Sequence, residues 1–479
     1  MVGRRKEVEE LEDLYSSGKA EFVAVYGRRR VGKTYLVDQV FEGRITFRHT
    51  GLSPIEGKEA GDGLLKAQLR SFYESMVRQG FAIDHCPVDW QEAFFMLSMA
   101  LQDIDDGSRQ LVFLDELPWM DTPRSFFMTA LEGFWNGWAC HRPGFMLIVC
   151  GSANSWILDK LVNNHGGLYG RLTYQIRLSP FSLGECEEYF ESNNFYMSRY
   201  DMVQSYMIVG GIPYYMGYMK RQNSLAQNVD EMFFSNDARL RDEFSRLFAS
   251  IFDSPERAKD VVVFLSRRSA GYTRSEISEH LGISNGSTLS SVLNALIASD
   301  FVIAYVPFGL SKRQVHYKLI DPFCLFYLKF VEGHDSLADD FWLQNLSSQA
   351  LVSWRGLAFE NVCFNHVPQI KKALGISGVR TSQSAWSKRD GDTEGTQIDL
   401  LISRMDNVVN MCEIKFYNDL FTVDGSYYRT LMHRQNLLAP HLKRGAGIHN
   451  TLITTYGLVK NAYSGIFSNV VTMDDLFSN

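Results

Sequence analysis

Gly27-Arg28-Arg29-Arg30-Val31-Gly32-Lys33-Thr34 decides how the N-terminal part of this chain folds. It fits G-x-x-x-x-G-K-[ST]. It follows the apolar run Phe22-Val23-Ala24-Val25 in a strand expected over Glu21–Tyr26, and it opens a helix expected from Gly32 to about Phe41. A strand, a glycine turn and a helix start, in that order, leave backbone N–H groups pointing inward at the turn, and the positive end of the helix dipole adds to them. That cradle suits a phosphate chain. Lys33 reaches its β- and γ-phosphates, and the Thr34 hydroxyl is offered to Mg²⁺. ATP with Mg²⁺ is the expected ligand, with Gly27, Arg28, Arg29, Arg30, Val31, Gly32 and Tyr35 around it.

Further along, Gln110–Leu114 reads as a second strand, apolar on both faces, and ends in Asp115-Glu116. Asp115 is expected in the Mg²⁺ shell, directly or through water, and Glu116 is expected to polarise the attacking water. Phe145–Cys150 reads as a third strand, followed by Gly151-Ser152-Ala153-Asn154. Ser152 or Asn154 is expected to sense the γ-phosphate; the competing reading is a strand-to-helix turn with a serine cap. Arg171, after Gly166-Gly167 and Gly170, is a candidate arginine finger, its alternative being a surface arginine. Strands alternating with amphipathic helices predict an α/β parallel sheet.

The length of 479 residues predicts two to four domains at about 100–200 residues each. A net charge of −7 excludes a chain that coats nucleic acid through bulk basicity; only a local patch remains for that purpose. Seven cysteines without a C-x-x-C pair read as buried thiols of a reducing compartment. No apolar stretch reaches about 18 residues and no signal-type segment opens the chain, so a cytoplasmic protein with no membrane association is expected.

The P-loop, Asp115-Glu116, Gly151-Ser152 and Gly170-Arg171 occur with Gly3-Arg4-Arg5, Leu178-Ser179-Pro180-Phe181 and Gly210-Gly211-Ile212-Pro213. Together they resemble the predicted prokaryotic ATPases of the extended AAA+/STAND class, over about residues 2–330. The resemblance implies that Gly3 and Arg4 lie on the adenine side and that Pro213 occupies a sensor-like position in a helical lid. Asn154 stands where some members carry a second serine.

Downstream, Arg274–Leu281, the turn Gly282-Ile283-Ser284 and Ser287–Ser299 have helix-turn-helix spacing, with a hairpin expected over Phe301–Phe308 and Gln314–Leu319. Ser287–Ser299 contains no Lys or Arg, which removes the phosphate attraction that dominates groove binding. Interdomain packing competes with DNA binding for this module. Arg267, Arg268, Arg274, Lys312 and Arg313 keep the DNA reading open. Ser336–Ser348 reads as a connecting helix or linker, and Ser382–Gly395 as an exposed loop.

Glu360 then falls on a helix, Asp399 on the apolar strand Gln397–Ser403, and Glu413 and Lys415 on the strand Val408–Phe416. Glu413 and Lys415 are two apart and share a face. Acids on buried strands are unusual unless they bind a metal or a base. Asp399 and Glu413 suit an oxygen-liganded Mg²⁺, Glu360 would complete its shell, and Lys415 would stabilise or deprotonate the attacking water. The set resembles the PD-(D/E)xK, or restriction-endonuclease-like, superfamily over about residues 350–445, with Ile398 where proline often stands. On the helix expected over Tyr427–Leu438, Tyr428, Arg429, His433, Arg434 and Gln435 face either a DNA backbone or solvent.

The expected architecture is a P-loop ATPase domain with a parallel sheet (1–180), a helical lid (181–252), a winged-helix module (253–335) and an α/β restriction-endonuclease-like domain (336–479). An ATPase that regulates or loads a Mg²⁺-dependent DNA nuclease is the leading expectation. A STAND-type nucleotide switch and a protein-remodelling ATPase are the alternatives. A homo-oligomer is allowed, with Arg171 acting within its own subunit or on a neighbour.

Overall fold

The computed structural model describes residues 2–53, 63–152, 154–162, 167–168, 170–252, 254–311, 313–333, 340–388 and 396–478, without the side chains of residues 154, 155, 387 and 388. The chain divides into two compact units, Met1–Ser179 with Arg246–Pro255, and Pro180–Ser245 with Glu256–Asn479.

The first unit is built on a five-stranded sheet in the order β2-β3-β4-β1-β5, with every neighbouring pair parallel. The strands are β1 (Glu21–Gly27), β2 (Phe47–Thr50), β3 (Gln110–Asp115), β4 (Phe145–Gly151) and β5 (Tyr174–Leu178). β1, β3 and β4 are buried at every residue, as their uninterrupted apolar runs require when both faces of a parallel sheet are covered. Helix α1 (Arg5–Ser16) precedes β1, and α2 (Lys33–Val40) follows it. One side of the sheet is covered by α3 (Leu64–Arg78), α4 (Trp90–Asp103) and α5 (Phe127–Gly137), whose apolar faces join a single core with Phe22, Phe47 and Phe145. Trp90 is fully buried there, 4.9 Å from the Phe127 ring and 5.5 Å from Phe72. Burial of each such side chain contributes about 1.5–3 kcal/mol. Asp89 starts α4 by accepting a hydrogen bond from the Glu92 amide.

In the second unit, α6 (Leu183–Ser192) and α7 (Arg199–Val209) come first. After α8 (Pro255–Leu265), α9 (Arg274–Leu281) and α10 (Ser287–Ala298) meet at a tight turn, and β6 (Tyr272–Thr273), β7 (Val302–Tyr305) and β8 (His316–Leu319) form an antiparallel sheet in the order β6-β8-β7. A capping box of Thr273 and Glu276 fixes the start of α9. Then come α11 (Pro322–Phe330) and α12 (Gln349–Asn365), both packed on α7.

The last sheet runs β13-β12-β11-β10-β9, from β9 (Thr381–Lys388), β10 (Thr396–Arg404), β11 (Val408–Lys415), β12 (Gly447–Thr454) and β13 (Asn469–Thr472). β9, β10 and β11 pair antiparallel; β11, β12 and β13 pair parallel. Helix α13 (Gly425–Leu438) connects β11 to β12.

One local expectation needs correction. Residues 382–388 are not a loop but most of β9, paired antiparallel with β10 across a register shift between Ile398 and Leu401. Their side chains lack the apolar alternation that announces a strand, because only Ser384 and Trp386 are buried among the described side chains. Residues 389–395, the rest of the expected loop, lie outside the described residues. Within Ser336–Ser348, Phe341–Gln344 forms one helical turn tied into the unit by the Trp342 amide, which donates to Asp230 at 2.7 Å.

Candidate functional site

The P-loop leaves the C-terminal end of β1. Gly27 sits at φ 156°, and a Cβ there would lie 2.1 Å from the Leu178 carbonyl oxygen on β5, so only glycine lets the two backbones pass. Arg30 and Gly32 follow with φ of 74° and 91°. Left-handed residues among right-handed ones turn successive N–H groups toward one concavity, which is an anion cradle.

Lys33 is buried, and its ammonium donates to the carbonyls of Gly27 and Arg28, at 3.0 and 3.1 Å, and to Ser152 Oγ at 3.3 Å. Thr34 Oγ1 donates to Asp115 Oδ2 at 2.8 Å. Ser152 Oγ also donates to Glu116 Oε1 at 2.5 Å, and the Ser152 amide donates to Glu116 Oε2 at 3.1 Å. β4 lies between β1 and β3, so Ser152 at its end is the residue able to touch both the P-loop lysine and the acid pair. Glu116 holds φ 47°, a left-handed conformation costing a non-glycine residue about 1–3 kcal/mol, and its carboxylate is pinned by both Ser152 bonds.

Arg4 is buried at φ 59°, and its guanidinium donates to the Ser179 carbonyl at 2.5 Å, one residue past the Leu178 that Gly27 meets. Gly3 and Arg4 therefore lie beside the start of the P-loop. Arg28 and Val31 are buried, Arg29 lies 6.0 Å from the Trp119 ring centroid, and Tyr35 is exposed on α2. Asn154 opens a short helix, Asn154–Ile157, and its side chain lies outside the described residues. Arg171 is exposed; its amide donates to the Leu168 carbonyl, and among the described residues its side chain has no contact with the loop.

Thr34 and Asp115 fit Mg²⁺. A hydroxyl bonded to a carboxylate beside a phosphate cradle is the small protein contribution that ion takes when substrate phosphates and water supply the rest.

A second polar cluster lies in the second unit. Glu413 on β11 is buried, with Lys415 Nζ 2.9 Å and Arg434 Nη1 2.6 Å from its oxygens and the Tyr427 hydroxyl bonded to it from α13. Burial pushes its carboxyl up, but Lys415, Arg434 and Tyr427 more than reverse this and hold it below its ordinary value. Asp399 on β10 stands one residue beyond the Leu400–Cys412 pairing and accepts from Gln397 Nε2 at 2.7 Å. Burial raises it, against the pull of Gln397, Lys318 and Lys415. Glu360 on α12 is pushed up to about 8, by burial first and then by Asp399. The four expected residues thus share one electrostatic neighbourhood.

Lys318 on β8, absent from the sequence reading, joins them. It is 4% exposed, its ammonium is 4.4 Å from the Phe364 ring centroid, and burial lowers its affinity for a proton against Glu360 and Asp399. Strand alternation carried no hint of this, because its partners are distant in sequence. Arg434 and Tyr427 also turn inward to Glu413, correcting the expectation that Arg434 faces DNA or solvent. Among the described residues no group of three or more His, Cys, Asp or Glu is placed to hold a metal, so a shell including Glu360 is not preformed. Asp399 with Glu413 would still supply the one or two carboxylates that Mg²⁺ needs.

The helix-turn-helix cations are also engaged. Arg274 donates to the Gly286 carbonyl and to Ser290 Oγ at the start of α10, while Arg268 pairs with Glu276 and stacks on Tyr272. Lys312 lies outside the described residues.

The parallel sheet, the P-loop and the Thr34–Asp115 and Ser152–Glu116 contacts define a P-loop ATPase domain. Residues 1–219 match the model of a family described as an ATPase domain predominantly from Archaea, and the chain carries an archaeal-type ATPase domain. An uncharacterized protein of Methanocaldococcus jannaschii is 24% identical over 447 residues, 91% of this chain and 92% of its own. An uncharacterized ATP-binding protein of the same organism is 44% identical over 43 residues, 9% of this chain and 73% of its own. Among solved structures, a Walker-type ATPase of Pyrococcus abyssi is 16% identical with a TM-score of 0.46, covering 69% of this chain and 96% of that one. The Aeropyrum pernix ORC2 protein is 14% identical with a TM-score of 0.40, covering 73% and 96%. At these scores the fold rests on the chain's own strand order. Among the described residues no helix is long and apolar enough to cross a membrane.

Proposed function

We propose that the chain binds ATP–Mg²⁺ at the end of β1 and hydrolyses it with Glu116 as the residue that orients and polarises water. The observation that carries this reading is the hydrogen-bonded line from Lys33 through Ser152 to Glu116 beside the Thr34–Asp115 pair. Lys33 leaves the loop carbonyls for the β- and γ-phosphates when nucleotide enters. Thr34 and Asp115 would hold Mg²⁺, which when bound would supply charge neutralisation at the phosphates. Ser152 keeps Glu116 aimed and reports the γ-phosphate to it. Gly3 and Arg4 take the adenine side, and Arg171 is an arginine finger acting from its own subunit or a neighbour's.

A second reading concerns the C-terminal cluster, and its motive is the convergence of Glu360, Asp399, Glu413 and Lys415 from three separate elements. We infer a restriction-endonuclease-like domain cleaving DNA phosphodiesters with Mg²⁺, regulated by the ATPase through a helical lid and a winged-helix module. Asp399 and Glu413 would hold the ion, which would supply charge neutralisation at the phosphate; Lys415 would stabilise or deprotonate the attacking water.

Both readings meet one experiment: ATP turnover, and Mg²⁺- or Mn²⁺-dependent cleavage of plasmid and single-stranded DNA, for wild type, Lys33→Ala and Asp399→Ala. Lys33→Ala should lose nucleotide binding, and tight ATP binding by it would overturn the P-loop assignment. Asp399→Ala should keep ATP turnover and lose cleavage. Absence of cleavage in wild type, with ATP still bound, would leave a nucleotide switch or a remodelling ATPase.

A further inference from the structure

Beside the C-terminal cluster lies a cavity of about 180 Å³, between the β7–β8 hairpin and the edge of the last sheet. Tyr305, Phe308, His316, Trp386, Gln397 and His441 line it. Five of these six carry flat π-systems, and the sixth carries an amide with both a donor and an acceptor. The walls are fixed to one another. The Phe308 amide donates to the Ala385 carbonyl at 2.9 Å, and the Tyr305 hydroxyl to the Ala270 carbonyl at 2.7 Å. Trp386 is 4% exposed, so only its rim reaches the cavity; it backs the exposed ring of His441, 5.8 Å away, which offers the open face.

The cavity and the charged cluster are joined by strand periodicity. On β10, Gln397 lines the cavity while Asp399, two residues on and on the same face, belongs to the cluster; the 2.7 Å bond between them closes the gap. On β8, His316 lines the cavity while Lys318, again two residues on, reaches the cluster. Two residues of strand span roughly 7 Å, about the distance from a base to its own phosphate. Lys318 suits the phosphate end. It is buried, it makes no hydrogen bond or ion pair within 4 Å among the described residues, and its ammonium lies over Phe364, one turn along α12 from Glu360.

We propose that this cavity is a nucleobase subsite, which stacks one unpaired base on His441, backed by Trp386, and pairs its edge with Gln397 while Lys318 takes the adjoining phosphate. It deepens the phosphodiesterase reading of the same cluster and rests on it for function, though not for binding. A base inside a duplex cannot enter such a cavity without leaving its stack, so the ligand is a single strand, a flipped base or a free nucleotide.

The test uses the full chain in EDTA, so that binding is read without cleavage, and probes of three kinds: a single-stranded oligonucleotide with one 2-aminopurine, the same oligonucleotide in duplex, and 2-aminopurine mononucleotide. Quenching of the probe base reports stacking, and anisotropy reports affinity. The expected result is quenched single strand, with affinity about tenfold or more weaker in Trp386→Ala and largely kept in Trp386→Phe. His441→Ala removes the exposed ring without the folding risk of a core substitution and should lose most of the quenching. Lys318→Met should weaken the single strand and the mononucleotide alike. Quenching of the mononucleotide as strong as that of the strand would assign the site to free nucleotides. An unquenched base in every probe, or quenching unchanged in both Trp386→Ala and His441→Ala, would overturn the subsite. Cleavage of DNA in Mg²⁺ by the same wild-type preparation separates the two claims: cleavage without quenching sinks the cavity alone, and quenching without cleavage sinks the nuclease alone.

Discussion

Glu360 should make the second unit less stable as pH rises, and Glu360→Gln should remove that dependence. In the fold Glu360 keeps its proton up to about 8, against an ordinary value of 4.5, with burial as the main cause and Asp399 next. Lys318 and Lys415 pull the other way, and Glu413 adds to the rise. Below pH 4.5 the group is protonated both folded and unfolded and has no effect. Between 4.5 and 8 the unfolded chain releases the proton while the folded chain retains it. The folded state then binds more protons, so stability falls as pH rises. Above 8 the loss is complete. At about 1.4 kcal/mol per pH unit the gap amounts to roughly 5 kcal/mol, on the order of 10 °C in the melting temperature of a unit this size. The assay is thermal unfolding in EDTA from pH 5 to 9, wild type beside Glu360→Gln. The two proteins should diverge steadily with pH, the glutamine variant melting higher at pH 9. Parallel curves, differing by the same few degrees throughout, would refute the placement of Glu360 in a desolvated acidic neighbourhood.

Ser152→Ala removes the hydroxyl shared by Lys33 and Glu116. It should lower ATP turnover by about 10²-fold with little change in nucleotide affinity, as steady-state turnover beside titration calorimetry would show; unchanged turnover would detach Ser152 from the chemistry. Gly27→Ala drives a methyl into the Leu178 carbonyl at 2.1 Å, at a φ that disfavours side chains. Overpacking alone costs about 1–3 kcal/mol, so its calorimetric melting temperature should fall by several degrees even without nucleotide.

Much of the first site could be read from the chain because its parts are local. The strand before Gly27, the helix after Gly32 and the two acids after Leu114 each declare themselves within a few residues, and parallel-sheet burial gives β1, β3 and β4 their continuous apolar signature. Which residue at the end of β4 faces the P-loop lysine was not readable, because that depends on β4 lying between β1 and β3. In the second unit the acids were found by their incongruity on apolar strands, but their partners were not. Lys318 comes from a hairpin 42 residues before Glu360 and 81 before Asp399, and no periodicity connects them. Arg434 shares its helix face with the buried Leu431 and Leu438, but an arginine there reads as a side chain reaching out to solvent until α13 is laid across β11 and Glu413 appears opposite it. β9 was missed because serine, glutamine and threonine signal a loop as readily as a strand whose burial rests on Ser384 and Trp386.

The charge balance of the second cluster bears on how a divalent ion would enter it. With Glu360 protonated at neutral pH, Asp399 and Glu413 are the carboxylates left to face Lys318, Lys415 and Arg434. Glu413 is already bonded to Lys415, Arg434 and the Tyr427 hydroxyl, so a metal arriving alone must displace one of them. Arg434 is the nearer of the two cations, 2.6 Å from Glu413 Oε2 against 2.9 Å for Lys415. Arg434→Met keeps much of the stem's packing and removes the charge. At an effective dielectric constant near 20, one unit charge a few ångströms away is worth up to about 4 kcal/mol, of which reorganisation returns a part. Mn²⁺ affinity, read by the paramagnetic signal of the free ion, should therefore tighten by about tenfold or more, while Arg434→Lys stays close to wild type. Breaking a buried pair also costs stability, about 3–5 kcal/mol, so the titration belongs well below the variant's measured melting temperature. Asp399→Ala in the same background must abolish the gain, because the tightened site needs both carboxylates. If Arg434→Met binds Mn²⁺ no better than wild type, the arginine is not a competitor for the ion but a brace that holds Glu413 in place, and the cluster is then a structural ion-pair network.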